Sequence, residues 1–306
     1  MKISVISSFR NEEKNILEFI LQIEKAMYNY DYEIILVDDC SSDNSNNIIL
    51  DKKKYNNRIK LIILSRRFGF TPGVLAGFGC ASGDFIFYLD ADLQDPPALM
   101  PSILEYAVSN SFDVVHTKRS SRLGEPKLKL KLTYLAYKII NFTSNINLVP
   151  NCGDFKLISR KVLNHILSSN EKDPYMRGLV VWAGFKQGFF EYIRQPRYSG
   201  VSHFPIFSLN PIEEFFRGVT SFSETPLYYI IGFGILVTIV SFSILFILLI
   251  YKIFGNPIPG WTFLSSLLLL FFGINFCFLG GLGVYIARIH RQVIDRPQFI
   301  IDTKYE

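Results

Sequence analysis

The chain has 306 residues, a formal net charge of +5 and 49% hydrophobic residues. That length holds one or two domains, and the modest positive charge suits an anionic partner or a membrane surface without marking a nucleic-acid binder. Its four cysteines, Cys40, Cys80, Cys152 and Cys277, lack metal-type spacing and read as reduced thiols, which excludes a disulfide framework.

The opening Met1-Lys2-Ile3-Ser4-Val5-Ile6-Ser7-Ser8 is too short an apolar run for a signal peptide and reads as a first buried strand. Through residue 116, apolar strand-like segments at 3–7, 33–37, 59–64, 85–89 and 113–117 alternate with helical spacing, clearest at 12–28 and 97–109. Such alternation predicts an α/β, Rossmann-like, mostly parallel sheet covered on both faces. Ligands of such sheets bind beyond the strand C-termini, which gathers Ser8 to Glu13, Asp38 to Asp43 and Asp90 to Asp95 at one edge. The run Phe85-Ile86-Phe87-Tyr88-Leu89 passes straight into Asp90-Ala91-Asp92-Leu93-Gln94-Asp95. Asp90 and Asp92 fall on one side of an extended chain, a donor set for a hard cation, Mg²⁺ or Mn²⁺, that leaves positions for phosphate oxygens. A solvated acidic turn is the plainer alternative. No glycine-rich dinucleotide or P-loop motif is present, so phosphates would be held by cation and arginines, with Arg66, Arg67, Arg119 and Arg122 available.

Residues 127–143 are basic and apolar together. They open with a strand-like alternation, but Leu132, Leu135, Ala136, Ile139 and Ile140 fit a helix stripe. This and a second amphipathic segment at 208–224 suit helices lying on a membrane or on the domain surface. Most of the apolar excess lies after residue 226, in uncharged runs at 227–251 and 261–287. Each exceeds the roughly 20 residues that cross a bilayer, and the short Gly/Pro-containing link between them predicts a transmembrane hairpin. Arg288, His290, Arg291 and Arg296 after the second run, against Lys252 in the link, place both ends in the cytosol.

The motifs Asn11-Glu12-Glu13, Asp38-Asp39, Ser41-Ser42-Asp43, Ser65-Arg66, Phe68-Gly69, Asp90 through Pro97, Arg119 with Arg122, Gly153-Asp154-Phe155 and Thr220-Ser221-Phe222-Ser223 occur in order along nearly the whole chain. In this order they resemble the inverting glycosyltransferases of the GT-A fold, and among them the polyprenyl-phosphate glycosyltransferases. The resemblance implies a cytosolic GT-A domain at 1–205, an interfacial helix at 206–226, spans at 227–251 and 261–287, and a cytosolic tail at 288–306. It implies transfer of one sugar, glucose favoured, from a nucleotide sugar, UDP favoured, to polyprenyl (undecaprenyl) phosphate at the inner or plasma membrane, with homo-oligomers as a candidate assembly.

By the same resemblance Asp92 and Gln94 would hold Mg²⁺ or Mn²⁺, and Ser8, Glu12, Asp39 and Asp90 would bind the nucleotide. Arg119, Arg122, Arg197 and His203 would face the phosphates of donor or lipid, and Asp154 would join Asp90 and Asp92 in catalysis. A lipid phosphate has its second pKa near about 6 and is largely a dianion at neutral pH, so Asp154 is expected to position rather than to deprotonate. The chain departs from the family pattern at Arg10, where an aromatic is usual, at Cys40, where Gly is common, at Lys156, and at Ser202-His203-Phe204-Pro205, where His203 replaces a lysine. The competing readings are a transferase with a hydroxyl acceptor, for glycolipid or polysaccharide synthesis, and a membrane scaffold that has lost activity.

Overall fold

A computed structural model of the chain describes residues 1–122, 127–144, 146–195, 209–254 and 260–306. The strands are β1 (Lys2–Phe9), β2 (Asp31–Asp38), β3 (Ile59–Leu64), β4 (Phe85–Tyr88), β5 (Val114–Arg122), β6 (Cys152–Ser159), β7 (Gln187–Arg194) and β8 (Ile301–Tyr305). The helices are α1 (Ile16–Ala26), α2 (Ser45–Lys53), α3 (Phe70–Cys80), α4 (Met100–Asn110), α5 (Lys127–Thr143), α6 (Arg160–Ser168), α7 (Met176–Trp182), α8 (Leu209–Ser221), α9 (Thr225–Phe254) and α10 (Trp261–Ile294).

The strands form one sheet in the order β7-β5-β6-β4-β1-β2-β3-β8. β1 runs parallel to β2 and β4, β2 to β3, and β5 to β7, while β6 and β8 are antiparallel to their neighbours. The period of two in β1 sends Ile3, Val5 and Phe9 into the layer of α1, α2 and α4, with Ile20, Ile49 and Ile103. Ile6 goes into the opposite layer of α3, α6 and α7, with Phe78, Val162 and Leu179. Each such side chain, fully buried, stabilises the fold by roughly 1.5–3 kcal/mol, which explains why the strands read as nearly continuous apolar runs. The five strands and both amphipathic helices expected from the sequence are present, and the fold is the GT-A-like α/β architecture.

Three strands lie outside that expectation. β6 and β7 extend the sheet beyond β4, and β8 adds an edge strand from the far C-terminus. β8 pairs antiparallel with β3, Leu61 facing Tyr305 and Ile63 facing Thr303, and Ser65 N–H donates to the Ile300 carbonyl at 3.0 Å. The chain therefore leaves the sheet domain after α8 and returns to it after α10.

α5 and α8 pack together over a small satellite core of Tyr137, Ile140, Ile146, Leu148, Tyr175 and Val219. The two apolar runs of the sequence lie within α9 and α10. Among the described residues one stretch, Phe271–Ile294, is long and apolar enough to cross a membrane; the apolar stretch Thr225–Val237 of α9 is shorter. Both helices expose large apolar side chains, including Ile235, Leu236, Ile239, Phe246, Phe272, Phe276 and Leu279.

Candidate active site

The C-terminal ends of β1, β2 and β4 meet at one edge. Phe9 stands level with Asp38, Ile6 is level with Tyr88, and Leu89 N–H reaches the Ile6 carbonyl at 3.1 Å. The loops after β1 and β2 are laced together. Asn11 N–H donates to Ser41 Oγ at 2.9 Å and its side-chain oxygen accepts Ser42 N–H at 2.8 Å. Glu13 N–H donates to Asp43 and Asn44 N–H to Glu13.

Asp38 closes the turn that follows it, accepting Ser41 N–H at 2.9 Å and Asn46 Nδ2 at 2.7 Å. That turn puts Cys40 at φ 61, the left-handed region where glycine carries no penalty. Asp39 accepts Phe68 N–H at 2.6 Å and Gly69 N–H at 2.9 Å, so it fixes the loop before α3. Burial pushes its carboxyl up, against those two N–H groups. Glu12 is buried and accepts Asn15 Nδ2 at 2.5 Å. Ser8 lies under α3, where a Cβ on Gly73 would fall 2.1 Å from its Oγ. The four residues expected at the nucleotide, Ser8, Glu12, Asp39 and Asp90, thus share one edge, each embedded in the fold.

Asp92 accepts Gln94 N–H at 3.1 Å around Leu93, which has φ 60, a strained conformation for leucine. Burial, and the neighbouring carboxylates of Asp92, Asp154 and Asp95, push the Asp90 carboxyl well above the usual carboxylate range. Like charges crowded in this way resist ionisation until a cation joins them. Among the described residues no three His, Cys, Asp or Glu side chains form a metal-holding group. Two carboxylates completed by diphosphate oxygens are, however, the usual way Mg²⁺ is held, and Asp90, Asp92 and Gln94 fit that chemistry.

Asp95 faces inward. It is fully buried, accepts the Tyr192 hydroxyl, and pairs with Arg119 Nη2 at 3.2 Å and Arg194 Nε at 3.4 Å. Arg119 Nε donates to the Tyr192 oxygen at 3.2 Å. Its guanidinium lies close against Gly153, where an added Cβ would fall 2.2 Å from Nη2, so the glycine of Gly153-Asp154-Phe155 makes room for that arginine. Arg119, expected at a phosphate, is engaged inside the domain in this structure, though its charge still favours ionisation of Asp90. The Arg122 side chain, Arg197 and His203 lie outside the described residues.

Asp154 stands on β6, beside β4. Arg177 of α7 grips both its oxygens, Nε to Oδ1 at 3.0 Å and Nη2 to Oδ2 at 2.5 Å. Burial works to raise the Asp154 carboxyl, but the Arg177 guanidinium, helped by Lys156 and Arg119, overrides it and holds the value at about 2. Arg177 Nη1 reaches Tyr137 Oη of α5 at 3.4 Å. Lys156 is buried on the same strand, and burial brings its ammonium down to about 8 against the pull of Asp154. Sequence reasoning missed Arg177, because no motif or spacing ties it to Asp154.

A protein-family model described as glycosyl transferase family 2 matches residues 4–167, the span that carries every acidic residue of this edge. The chain belongs to glycosyl transferase family 2. A Bacillus subtilis relative named as an uncharacterized glycosyltransferase, YkcC, is 35% identical over 99% of this chain and 94% of its own length. A Shigella flexneri relative named as an SfII prophage-derived bactoprenol glucosyl transferase is 33% identical over 100% of this chain and 99% of its own length. An Escherichia coli relative named as a prophage bactoprenol glucosyl transferase homolog is 34% identical over 98% of each chain. Each of these relatives matches 98% or more of this chain, so the similarity continues through α9 and α10, beyond the span of the family model.

Proposed function

We propose that this glycosyltransferase moves one glucose from a nucleotide-sugar donor, UDP-glucose favoured, to a polyprenyl phosphate such as undecaprenyl phosphate, with inversion, at the cytosolic face of a membrane. The observation that carries the reading is the crowd of carboxylates around Asp90 at the strand ends, on a domain whose chain runs out into two long, apolar, exposed helices. The names of the full-length Shigella and Escherichia coli relatives support the lipid acceptor and the sugar.

The position of β8 supports the membrane topology of this proposal. Because β8 pairs within the same sheet as β1, the chain between α8 and β8 crosses a membrane an even number of times or not at all. Helices of 30 and 34 residues are about 45 and 50 Å long, enough for each to cross a hydrocarbon core of about 30 Å. Exposed apolar surface on both supports two crossings. Arg288, Arg291 and Arg296 after the second crossing support a cytosolic catalytic domain.

In the mechanism we propose, Glu12, Asp39 and the loops they fix receive the nucleoside. Asp90, Asp92 and Gln94 would hold Mg²⁺ or Mn²⁺, which when bound stabilises negative charge on the departing diphosphate. A phosphate oxygen of the lipid attacks the anomeric carbon from the side opposite the leaving group. The new C–O bond forms as the bond to the nucleoside diphosphate breaks, and the electron pair leaves with the diphosphate. A dianionic acceptor has no proton to give up. Asp154, ionised with both oxygens on Arg177, is poorly suited to be a base and well suited to orient groups at a fixed place.

A hydroxyl acceptor would need a true base, and Asp90, beside Asp92 and Asp154 with its carboxyl shifted upward, is the candidate for that role. Incubation with labelled nucleotide sugars, undecaprenyl phosphate, Mg²⁺ or Mn²⁺, and then with chelator, tests the proposal. Chelator-sensitive label in the lipid fraction from UDP-glucose is expected. Label entering only hydroxyl-bearing lipids, or none with Asp92→Ala matching the parent in donor turnover, overturns it.

A further inference from the structure

The segment between α6 and α7 is where the helical C-terminal part is fastened to the sheet domain. Asp173 pairs with Arg217 Nε of α8 through Oδ1 at 2.8 Å and with Arg291 Nη1 of α10 through Oδ2 at 2.8 Å. Its backbone carbonyl accepts Arg288 Nη2 at 3.2 Å. Around it, Lys172 Nζ pairs with Asp295 at 2.6 Å. Lys172 N–H donates to the Gln292 side chain, which donates back to the Asn170 carbonyl, both at 3.0 Å.

The same stretch runs directly into the active site. Tyr175 is buried and meets the Phe222 ring edge-on at 6.5 Å. Gly178 lies so close under Phe222 that a Cβ would fall 2.3 Å from the ring, so α7 and the end of α8 have no slack between them. Between these two contacts, Arg177 reaches the other way and grips Asp154. Met176, Leu179 and Val180 bind the rest of α7 to the sheet core. One short run of backbone thus carries an acid that gathers arginines from two helices and a guanidinium that fixes an active-site carboxylate.

We propose that Asp173 is a positioning residue: the seating of α8 and α10 on its carboxylate sets α7, and through Arg177 sets where Asp154 stands. Helix placement at the membrane is then coupled to the geometry of the transfer site. Only the kinetic part of the test rests on the glycosyl-transfer reading.

The experiment uses the full chain in lipid nanodiscs. Amide hydrogen exchange is followed in peptides covering α7 and, as reference, α1 and α4, in the parent and in Asp173→Asn. Expected is exchange in α7 about tenfold faster, a coupling of ordinary size, with α1 and α4 unchanged. With UDP-glucose and undecaprenyl phosphate, kcat falls about tenfold while donor KM stays within about twofold. Asp173→Glu, which keeps the charge, restores most of the rate. Arg291→Gln attacks the same contact from α10 and is expected to act in the same direction, which keeps the test decisive should Asp173→Asn not fold. Unchanged α7 exchange in the folded variants overturns the proposal, as does a donor KM that rises with no change in kcat. If the parent transfers no sugar to the lipid, the function reading fails, and the exchange result alone decides the coupling.

Discussion

Arg177 holds Asp154 by both carboxylate oxygens, at 3.0 and 2.5 Å, across 23 residues of chain. This bond makes Asp154 a fixed anion at about 2 rather than a titrating base. Arg177→Met leaves that carboxylate partly buried without its partner. Transfer is expected to fall on the order of 10²-fold through lost positioning. Stability should fall on the order of 2 kcal/mol, below the ~3–5 kcal/mol for fully buried pairs, because the Arg177 side chain is 32% exposed. Arg177→Lys, lacking the planar fork, recovers little of the rate. Thermal unfolding and initial rates on the same detergent samples check both. Asp154→Asn should also lose transfer, and raising the pH should recover none of it.

Asp95 and Arg119 form the second buried network, one that braces the site from beneath. Asp95→Ala leaves a guanidinium buried without its carboxylate and should cost about 3–5 kcal/mol. Tyr192→Phe removes a single hydroxyl from the pair and should cost about 1–2 kcal/mol. Gly153→Ala drives a methyl group into Arg119 and should fall nearer the first. Melting temperatures in one detergent rank the three variants. A Gly153→Ala protein as stable as the parent would contradict the packing described.

The acid limit of stability has a named contributor at the opposite end of the strands. Glu33, with side chain 3% exposed, accepts Ser4 Oγ, Ser82 N–H and Ser82 Oγ and pairs with Lys2 and Lys60. Burial works against it, but these partners hold its carboxyl at about 2, against 4.5 in a free chain. A depressed carboxyl stabilises the fold fully above the unfolded value and loses that contribution as pH falls through the folded one. On the order of 3 kcal/mol is therefore expected to vanish between pH 4.5 and 2. Glu33→Gln should flatten that part of the unfolding-versus-pH curve, and an unaltered slope would contradict the assignment.

Asp90 moves the other way. Its carboxyl is raised by burial and by Asp92, Asp154 and Asp95, so protons and a divalent cation compete for it. Cation affinity in the presence of UDP should rise with pH until Asp90 ionises, then level off. Asp90→Asn should weaken binding and remove that rise. Mn²⁺ titration by electron paramagnetic resonance across pH measures both.

The parts legible in the sequence are those where one local signal suffices. β1 to β4 are buried on both faces, so their apolar runs stand out, and Asp90 and Asp92 announce themselves where such a run ends. β6 is hidden because Gly153, Asp154 and Lys156, polar or small, interrupt its pattern for the sake of the site. β8 is hidden because it is a short edge strand with Asp302 and Lys304 in it, and charges of that kind mark both edge strands and tails. Asp95 reads as one more acid of the cluster, yet its environment is set by β5 and β7, distant in sequence. Arg177 leaves no local trace, since its partner is fixed only when α7 packs on β6. Cys40, a departure from the glycine that the resemblance implies, takes the left-handed φ of 61 that glycine adopts without penalty.

The acceptor, a lipid phosphate or a lipid alcohol, decides which chemistry this site performs. Label from UDP-glucose should be measured with undecaprenyl phosphate and with undecaprenol side by side, in one detergent, with Mg²⁺. Label in the phosphate-bearing lipid alone, lost in Asp92→Ala, is the predicted result. Equal or greater label in the alcohol would contradict the account and make Asp90 the base of a different reaction.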